Sequence, residues 1–407
     1  MELKFIIPKV LKIWKEVLQT DSIDINTNFF DAGGSSLNVV YVQVLIIENF
    51  QIDLEIIDMY QYTTIKKLSE LIYKQIKIKK NAFLISVYSP IKEIELGSNT
   101  KKFFNTLNKD SIKNDKFDLN SMREGALEFD GDTIIQYPDG ISYDSYIDLE
   151  INGIKYKNLL VDSKQPTVIY FYGGGFCINM LKSQMSFLAN VAHKHNVNII
   201  IPEIKLAPEY SAVEILSECQ DFMIRILQKD TNASYIASGW SSGANLALSS
   251  VLSVVKYKPH LMKKITSLIL LSSWIDLTLD INNFSPYKKQ QEQDIFAADS
   301  RVLKNLASLY AQGTNYDDLN PLIKYKKQLN HLPRVDVVSG EYDILLGDSI
   351  YLNCMLNRQI SVCNLHLLKG QTHNYPVFNK IQENNSCVDL YGELILGSFV
   401  GDKINYY

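Results

Sequence analysis

From about residue 98 onward, the chain alternates short apolar runs, rich in β-forming residues, with longer stretches of helical periodicity. The apolar runs occupy residues 167–172, 197–201, 234–240, 267–273, 334–340 and 362–368. Runs that are apolar on both faces and separated by helices are typical of a mostly parallel sheet with helices on both sides. This part of the sequence therefore predicts an α/β architecture.

The first part of the chain has a different pattern. Residues 5–76 show apolar side chains at helical spacing, such as Val10, Trp14 and Leu18, without strand-like alternation. The stretch that follows is charged and aperiodic, which indicates a connector. The predicted division is a small helical domain at 1–76, a linker at 77–97 and an α/β domain at 98–407.

Composition excludes several classes of function. The 407 residues carry 41 basic and 45 acidic side chains, so a net charge of -4 gives no electrostatic basis for binding nucleic acid or an anionic membrane. No apolar run is long enough to span a bilayer, and the N-terminus lacks the pattern of a signal peptide. The five cysteines are an odd number without ligand spacing. We therefore expect a cytoplasmic protein without a structural metal.

A short glycine-serine motif indicates a nucleophile. Residues 239–243, Gly-Trp-Ser-Ser-Gly, match the pattern G-x-S-x-G, in which the serine lies on a sharp turn between a strand and a helix. This short pattern also arises by chance, but here it follows an apolar strand and begins an apolar helix. The turn would expose the hydroxyl of Ser241, and the helix N-terminus would stabilise developing negative charge.

A hydroxyl nucleophile needs a base, and the base needs an acid that orients it. Asp343 follows the run at 334–340, and His373 follows the run at 362–368. The chain order Ser241, Asp343, His373 is the order expected for an α/β-hydrolase. His366 lies inside an apolar run, so we expect it to be packed. His193 and His195, at a predicted helix end, are expected to be solvated, and His260 and His331 are expected in polar loops.

From residue 98 to about residue 400 the chain resembles the hormone-sensitive-lipase-like branch of the α/β-hydrolases. The resemblance rests on the segments "MREGALEF", "VIYFYGGGFCIN", "PEIKLAPEYSAVEILSECQD", "GWSSGANLAL", "SSWIDLT", "SGEYDILLGDS" and "HNYPVF", in that order. It implies Ser241 as nucleophile, His373 as general base and acid, and Asp343 as orienting acid. It also implies an oxyanion hole formed by the backbone N–H groups of Gly174, Gly175 and Ser242. Helices near 98–127 would form part of a cap over the acyl pocket.

Two residues depart from the pattern of that branch. Tyr172 stands where the branch usually has histidine, and Trp240 stands where it often has aspartate. Both changes alter the pocket walls, so substrate choice does not follow from the resemblance. Trp240 either lines the site or packs beneath the turn, and Cys177 is expected to be a packing residue. Asp348 is expected to cap or open the following helix, although the branch uses that neighbourhood for its acid as well.

The segment "FFDAGGSSL" at 29–37 resembles the signature of peptidyl and acyl carrier domains from nonribosomal peptide and polyketide assembly lines. The resemblance extends over residues 5–76 and implies a four-helix carrier bundle. It implies covalent attachment of 4'-phosphopantetheine at Ser36, while Ser35 occupies the variable position. A helix N-terminus favours the phosphate of that group. The alternative is that Ser35 or Ser36 only caps the helix.

Together the two resemblances predict a serine hydrolase that acts on a carrier-tethered acyl or peptidyl intermediate, by ester or thioester cleavage. The expected partners are a phosphopantetheinyl transferase and assembly-line synthetase domains acting in trans, with no nucleic acid and no membrane. One alternative is a non-catalytic carrier and docking module with a hydrolase-fold scaffold. A second alternative is a carboxylesterase or deacetylase of small, untethered esters.

Overall fold

The structure is a computed structural model of the chain, and it divides into two compact units, Met1–Val87 and Tyr88–Tyr407. The division falls within the predicted connector 77–97, whose limits stay a prediction. The residues that the structure describes are 3–50, 52, 54, 56–79, 117–130, 142–148, 154–161, 165–229, 234–279, 294, 300–357, 359, 362–368, 371–373 and 384–400.

The first unit is helical in its described part, with helices α1 (Leu3–Leu18), α2 (Ser36–Phe50), α3 (Ile56–Gln61) and α4 (Ile65–Lys79). Trp14 of α1 and Phe29 of the α1–α2 loop are fully buried and meet edge to face, with ring centroids 4.7 Å apart. Burial of these two aromatic rings joins the loop to the helical core.

The α1–α2 loop also pairs with the segment that precedes α4. Phe29 N–H donates to Thr63 O at 2.8 Å, and Asn28 forms an isolated β-bridge with Thr64. Thr64 Oγ1 accepts the Lys67 N–H at 3.2 Å, so Thr64 caps the N-terminus of α4.

The second unit contains an eight-stranded sheet in the order β1-β2-β4-β3-β5-β6-β7-β8. The pairs β1–β2 and β2–β4 are antiparallel, and the other five pairs are parallel. The strands are β1 (Ser142–Asp148), β2 (Ile154–Leu160), β3 (Thr167–Phe171), β4 (Asn198–Pro202), β5 (Tyr235–Trp240), β6 (Ile265–Leu271), β7 (Arg334–Gly340) and β8 (Cys363–Leu368).

Helices connect and cover these strands. Those described are Leu119–Asp130, Lys182–His195, Ala212–Lys229, Ser242–Tyr257, Ser300–Ala311, Tyr316–Leu319, Pro321–Lys324, Leu346–Leu356 and Asn384–Val400, with 3₁₀ turns at Pro259–Lys264 and Lys326–His331. Helix Ser242–Tyr257, named here the elbow helix, is buried along most of its length and contacts β3, β5 and β6. From Ser242 to Val255 the elbow helix carries no charged side chain, as expected of a buried helix.

The six apolar runs correspond to β3 through β8, so the predicted α/β fold with a mostly parallel sheet is confirmed. The strands β1 and β2 had no counterpart in the prediction. In β2 buried positions alternate with outward-facing ones such as Lys155 and Lys157, so its sequence lacks a continuous apolar run. Of the cap predicted near 98–127, the part up to residue 116 lies outside the described residues, and the remainder is in helix Leu119–Asp130.

Candidate functional site

Ser241 lies alone between the end of β5 and the start of the elbow helix. Its backbone dihedrals are φ 55° and ψ -121°, outside the regions that L-residues favour, which costs about 1–3 kcal/mol. Backbone hydrogen bonds hold this conformation: Ser241 N–H donates to Leu271 O at 2.9 Å, and Ser241 O accepts the Trp274 N–H at 3.1 Å. The end of β6 and the segment after it therefore fix the serine in its strained turn.

The turn also depends on close backbone packing at Gly243. A Cβ at this position would overlap the carbonyl oxygens of Phe171 and Tyr172 at the end of β3. The second glycine of the motif is therefore needed because the elbow helix begins against the backbone of the neighbouring strand.

The structure brings the three residues predicted as a triad into one hydrogen-bonded row. His373 Nε2 lies 3.1 Å from Ser241 Oγ, and His373 Nδ1 lies 2.9 Å from Asp343 Oδ1. Asp343 is in the turn after β7 and His373 is in the turn after β8, so both are at the carboxyl ends of parallel strands. Ser241 and His373 are 6% and 5% exposed and Asp343 is fully buried, so the row is largely shielded from water.

Burial and mutual charge act in opposite directions on the histidine and the aspartate. Burial by itself would raise the pKa of Asp343, but the His373 ring holds that pKa below its ordinary value by charge and hydrogen bonding. Burial would lower the pKa of His373, but the carboxylates of Asp343 and Asp294 raise it above its ordinary value. The arrangement therefore favours an ionised aspartate beside a ring that readily accepts a proton.

The glycine-rich loop after β3 lies against the serine. A Cβ at Gly173 would lie 3.2 Å from the Cβ of Ser241. Gly174 and Gly175 have φ of 152° and 59°, and Gly174 O accepts the N–H groups of Cys177 and Ile178 at 3.1 and 2.9 Å. Ser242 is the first residue of the elbow helix, and N–H groups of a first helical turn have no partner within the helix.

Asp294 is a buried carboxylate of this site that the sequence analysis did not identify. It is 2% exposed, and its Oδ2 atom accepts the Ile344 N–H and the His373 N–H, each at 2.9 Å. One oxygen therefore binds the turn of Asp343 and the turn of His373. Asp294 lies in the polar stretch "KKQQEQD", where no strand or motif distinguishes it from the other acids of the chain.

The rival side chains have other partners. Asp348, in the first turn of helix Leu346–Leu356, accepts the N–H groups of Ile275 and Asp276 at 3.1 Å each. His366 is buried and lies 2.8 Å from Asp336 Oδ1 on the adjacent strand. The remaining histidines lie on the helices Lys182–His195, Pro259–Lys264 and Lys326–His331.

The residues that depart from the family pattern are structural. Trp240 is fully buried and contacts Phe187 edge to face at 6.3 Å, so it belongs to the core of the unit. The Tyr172 hydroxyl accepts the Ile204 N–H at 3.1 Å and lies 3.2 Å from Ile204 O, which attaches the glycine-rich loop after β3 to the segment after β4. Burial raises the pKa of the Cys177 thiol to about 12, which makes it a poor nucleophile.

In the first unit, the glycine-serine turn has its own helix cap. Ser35 O accepts the Val39 N–H at 3.0 Å, and Ser35 Oγ accepts the Asn38 N–H at 3.2 Å. In return, Asn38 Oδ1 accepts the Ser35 N–H at 2.9 Å. This reciprocal pair is a capping box, in which Ser35 is the N-cap and Ser36 is the first residue of α2.

The second glycine of the same turn is required by close approach. A Cβ at Gly34 would overlap the ring of Phe29, and Gly34 N–H donates to Phe29 O at 2.9 Å. Gly33 has φ 91°. The Phe-Phe and Gly-Gly pairs therefore build the turn that leads into Ser36, beyond the needs of a simple helix cap.

The described residues contain neither a metal-binding cluster nor a membrane-spanning helix. No three His, Cys, Asp or Glu side chains in the described ranges come together as a metal ion requires. None of the described helices combines the length and apolar character that a bilayer crossing demands. All five cysteines are among the described residues, and no disulfide joins any two of them.

Comparison with known proteins assigns both units. Residues 8–72 match the family model described as a phosphopantetheine attachment site, and residues 168–377 match the model described as alpha/beta hydrolase fold. Both resemblances found in the sequence are thereby confirmed.

Individual relatives agree with this division. An esterase of Acinetobacter venetianus is 27% identical over 224 residues, which cover 53% of this chain and 70% of that protein. The polyketide synthase PksN of Bacillus subtilis is 36% identical over 72 residues of the carrier region, 18% of this chain and 1% of that synthase. A solved esterase of the bacterial hormone-sensitive lipase family superposes with a TM-score of 0.62 at 18% identity, covering 72% of this chain and 96% of that one. At that identity the superposition shows a shared fold.

The alpha/beta hydrolase family model covers slightly more than half of the 407 residues. The described sheet has eight strands, and Asp343 and His373 lie in turns at strand ends. The chain therefore belongs to the alpha/beta hydrolase fold family, and it carries a phosphopantetheine attachment domain in its N-terminal region.

Proposed function

We propose that the second unit is a serine hydrolase of acyl esters or thioesters, with Ser241 as nucleophile, His373 as general base and acid, and Asp343 as orienting acid. The observation that carries the proposal is the position of the His373 ring, 3.1 Å from Ser241 Oγ and 2.9 Å from Asp343 Oδ1. Both distances are within the reach of proton transfer and orientation.

The reaction proceeds in two halves. His373 Nε2 takes the proton of Ser241 Oγ as that oxygen attacks the acyl carbonyl carbon, and Asp343 stabilises the imidazolium that forms. His373 then gives the proton to the departing oxygen or sulfur, which leaves Ser241 acylated. Water attacks the acyl-enzyme, loses its proton to His373, and releases the acid while the proton returns to Ser241.

The proposed oxyanion hole consists of the backbone N–H groups of Gly174, Gly175 and Ser242. Two features support it: the glycine loop packs directly against Ser241, and Ser242 begins the elbow helix. Donors of this kind stabilise the negative charge that develops on the carbonyl oxygen, each by about 3–4 kcal/mol.

The first unit is proposed to be a four-helix peptidyl or acyl carrier with 4'-phosphopantetheine on Ser36. The match to the attachment-site family supports this, and so does the position of Ser36 at the N-terminus of α2, where a phosphate is favoured. Ser35 already supplies the helix cap, so capping does not account for Ser36. When attached, the arm holds an acyl or peptidyl group as a thioester.

Joining the two units in one chain suggests that the hydrolase acts on what the carrier holds. The tether would raise the effective concentration of the acyl group at Ser241. Attachment of the phosphopantetheine arm requires a phosphopantetheinyl transferase. Assembly-line synthetase domains acting in trans would supply the acyl group. The relation of the carrier region to a polyketide synthase supports a setting in nonribosomal peptide or polyketide-type biosynthesis. The proposed location is the cytoplasm.

Fluorophosphonate labelling tests the nucleophile directly. The probe should label the native chain at Ser241, and Ser241→Ala should abolish the labelling. Ser250→Ala is the matched control, because this serine lies on the same elbow helix and its hydroxyl donates to Leu246 O. Absence of labelling in the folded native chain would favour the non-catalytic carrier and scaffold.

Loading of the carrier tests the substrate. The Ser36 arm is charged from acyl-coenzyme A donors by a promiscuous transferase, and the intact mass is followed with time. Thioester cleavage returns the mass of the unacylated arm, whereas removal of a side ester leaves a shortened acyl group attached. Mixing loaded Ser241→Ala chains with Ser36→Ala chains separates action in trans from action within one chain.

A second candidate is hydrolysis of small esters that are not tethered, and the relation to the Acinetobacter esterase favours it. It predicts that Ser36→Ala leaves kcat/KM for free short-chain esters unchanged and that carrier-bound groups survive incubation. Ser241-dependent loss of the carrier-bound group would instead support the leading proposal.

A further inference from the structure

Besides the hydrogen bond between their side chains, the turns of Asp343 and His373 are connected through the main chain and through Asp294. On one side the main chains bond directly, because Tyr342 N–H donates to Gln371 O at 2.8 Å. On the other side they share Asp294, whose Oδ2 atom accepts the Ile344 N–H and the His373 N–H. The second link bonds to the backbone of His373 itself.

We propose that Asp294 is a positioning residue of the hydrolase, which holds His373 between Ser241 and Asp343 and supports the charge that His373 acquires during the reaction. This inference rests on the proposed function of Ser241. Asp294 touches no reacting atom, so its effect would pass through His373.

Geometry and charge make separate contributions to this role. Because a single oxygen receives both N–H groups, displacement of Asp294 would release the turn of the base and the turn of its orienting acid together. The charged groups that face His373 from the described elements are Asp343 and Asp294. Asp294 therefore adds a second negative charge beside the ring, without contributing to the row of hydrogen bonds that ends at Ser241.

Two substitutions separate these contributions. Asp294→Asn keeps an oxygen that accepts both N–H groups but removes the charge, whereas Asp294→Ala removes both. We expect Asp294→Ala to lower kcat about 100-fold with little change in KM, because misplacement of a catalytic group by about 1 Å costs that much. Asp294→Asn should restore most of that loss, to within about fivefold of the native chain.

The charge has its own readout. In both variants the acidic limb of the pH–kcat/KM profile and the imidazole titration of His373, followed by NMR, should move to lower pH. Asp348→Ala is the matched control, since it removes another fully buried carboxylate that accepts two backbone N–H groups. Asp348→Ala and Asp294→Ala should both lower the melting temperature. Only Asp348→Ala should leave the His373 titration where the native chain has it.

The inference is overturned if Asp294→Asn leaves both the acidic limb and the His373 titration where the native chain has them, or if Asp294→Ala retains the native kcat. If the native protein shows no Ser241-dependent hydrolysis, the proposed function is refuted instead. In that event the His373 titration still decides whether Asp294 acts on the ring.

Discussion

Ser35 and Asn38 form two reciprocal hydrogen bonds at the start of α2: Ser35 Oγ accepts the Asn38 N–H at 3.2 Å, and Asn38 Oδ1 accepts the Ser35 N–H at 2.9 Å. The hydroxyl of Ser35 is thereby engaged in the helix cap. Two adjacent serines in the same turn consequently have different expected roles, one structural and one as the attachment point.

Modification by a promiscuous phosphopantetheinyl transferase should distinguish these serines. Ser36→Ala is expected to abolish the mass increase from coenzyme A. Ser35→Ala should still be modified but should lose about 1 kcal/mol of stability, because the capping hydrogen bond is gone. Intact-mass spectrometry and thermal unfolding measure the two effects. A mass increase that persists in Ser36→Ala would contradict the assignment.

The pH dependence of Ser241-dependent hydrolysis should reflect His373. Burial opposes protonation of the ring, but Asp343 and Asp294 outweigh it and raise the pKa of His373 above the ordinary 6.5. The base must be neutral to accept the serine proton, so kcat/KM should fall as the pH drops through a midpoint above 6.5. A pH–rate profile with its acidic limb centred below 6.5 would refute this reasoning.

Gly243 and Gly125 should respond in opposite directions to replacement by alanine. At Gly243 the new methyl group would overlap two backbone carbonyl oxygens at the end of β3. We therefore expect the free energy of unfolding to fall by about 1–3 kcal/mol or more, and hydrolytic activity to be lost as well. At Gly125, inside helix Leu119–Asp130, no atom other than those of the adjacent residues and the helix's own backbone lies within 4 Å of the added Cβ. Gly125→Ala should therefore gain about 0.5–1 kcal/mol. Equal melting temperatures for both variants would contradict the packing described.

Trp240→Phe should change stability rather than substrate choice. The Trp240 ring is fully buried against Phe187, and Trp240 Nε1 has no hydrogen-bond partner among the described residues. Loss of indole volume should cost about 1–2 kcal/mol, while the ratio of kcat/KM for short and long acyl esters stays the same. An altered chain-length preference would mean that Trp240 lines the acyl pocket after all.

Much of the hydrolase fold was predictable because its central strands are apolar on both faces. The sequence runs correspond to β3–β8 within a few residues. The strands β1 and β2 escaped prediction because they are antiparallel strands at the edge of the sheet, and in β2 lysines alternate with buried positions. In β2, exposed and half-buried side chains interrupt the apolar signal that the central strands carry.

The candidate site residues were predictable where they belong to recognisable sequence motifs. Ser241, Asp343 and His373 could be chosen because each follows a recognisable strand, and the structure brings them within hydrogen-bonding distance. Asp294 could not be chosen, because its role depends on two turns that are distant from it in sequence and meet only in the folded chain. Trp240 was ambiguous for the same reason, since neighbours in space decide whether a ring lines a pocket or fills a core.

The close packing of Gly34 against the Phe29 ring has a consequence for attachment of the phosphopantetheine arm. Phe29 is buried against Trp14 and bonded to Thr63, so the turn before Ser36 takes its shape from the assembled unit. A transferase that recognises this turn would pass over unfolded chains, and conversion to the holo form would then act as a quality check. Destabilised chains would then accumulate without the phosphopantetheine arm.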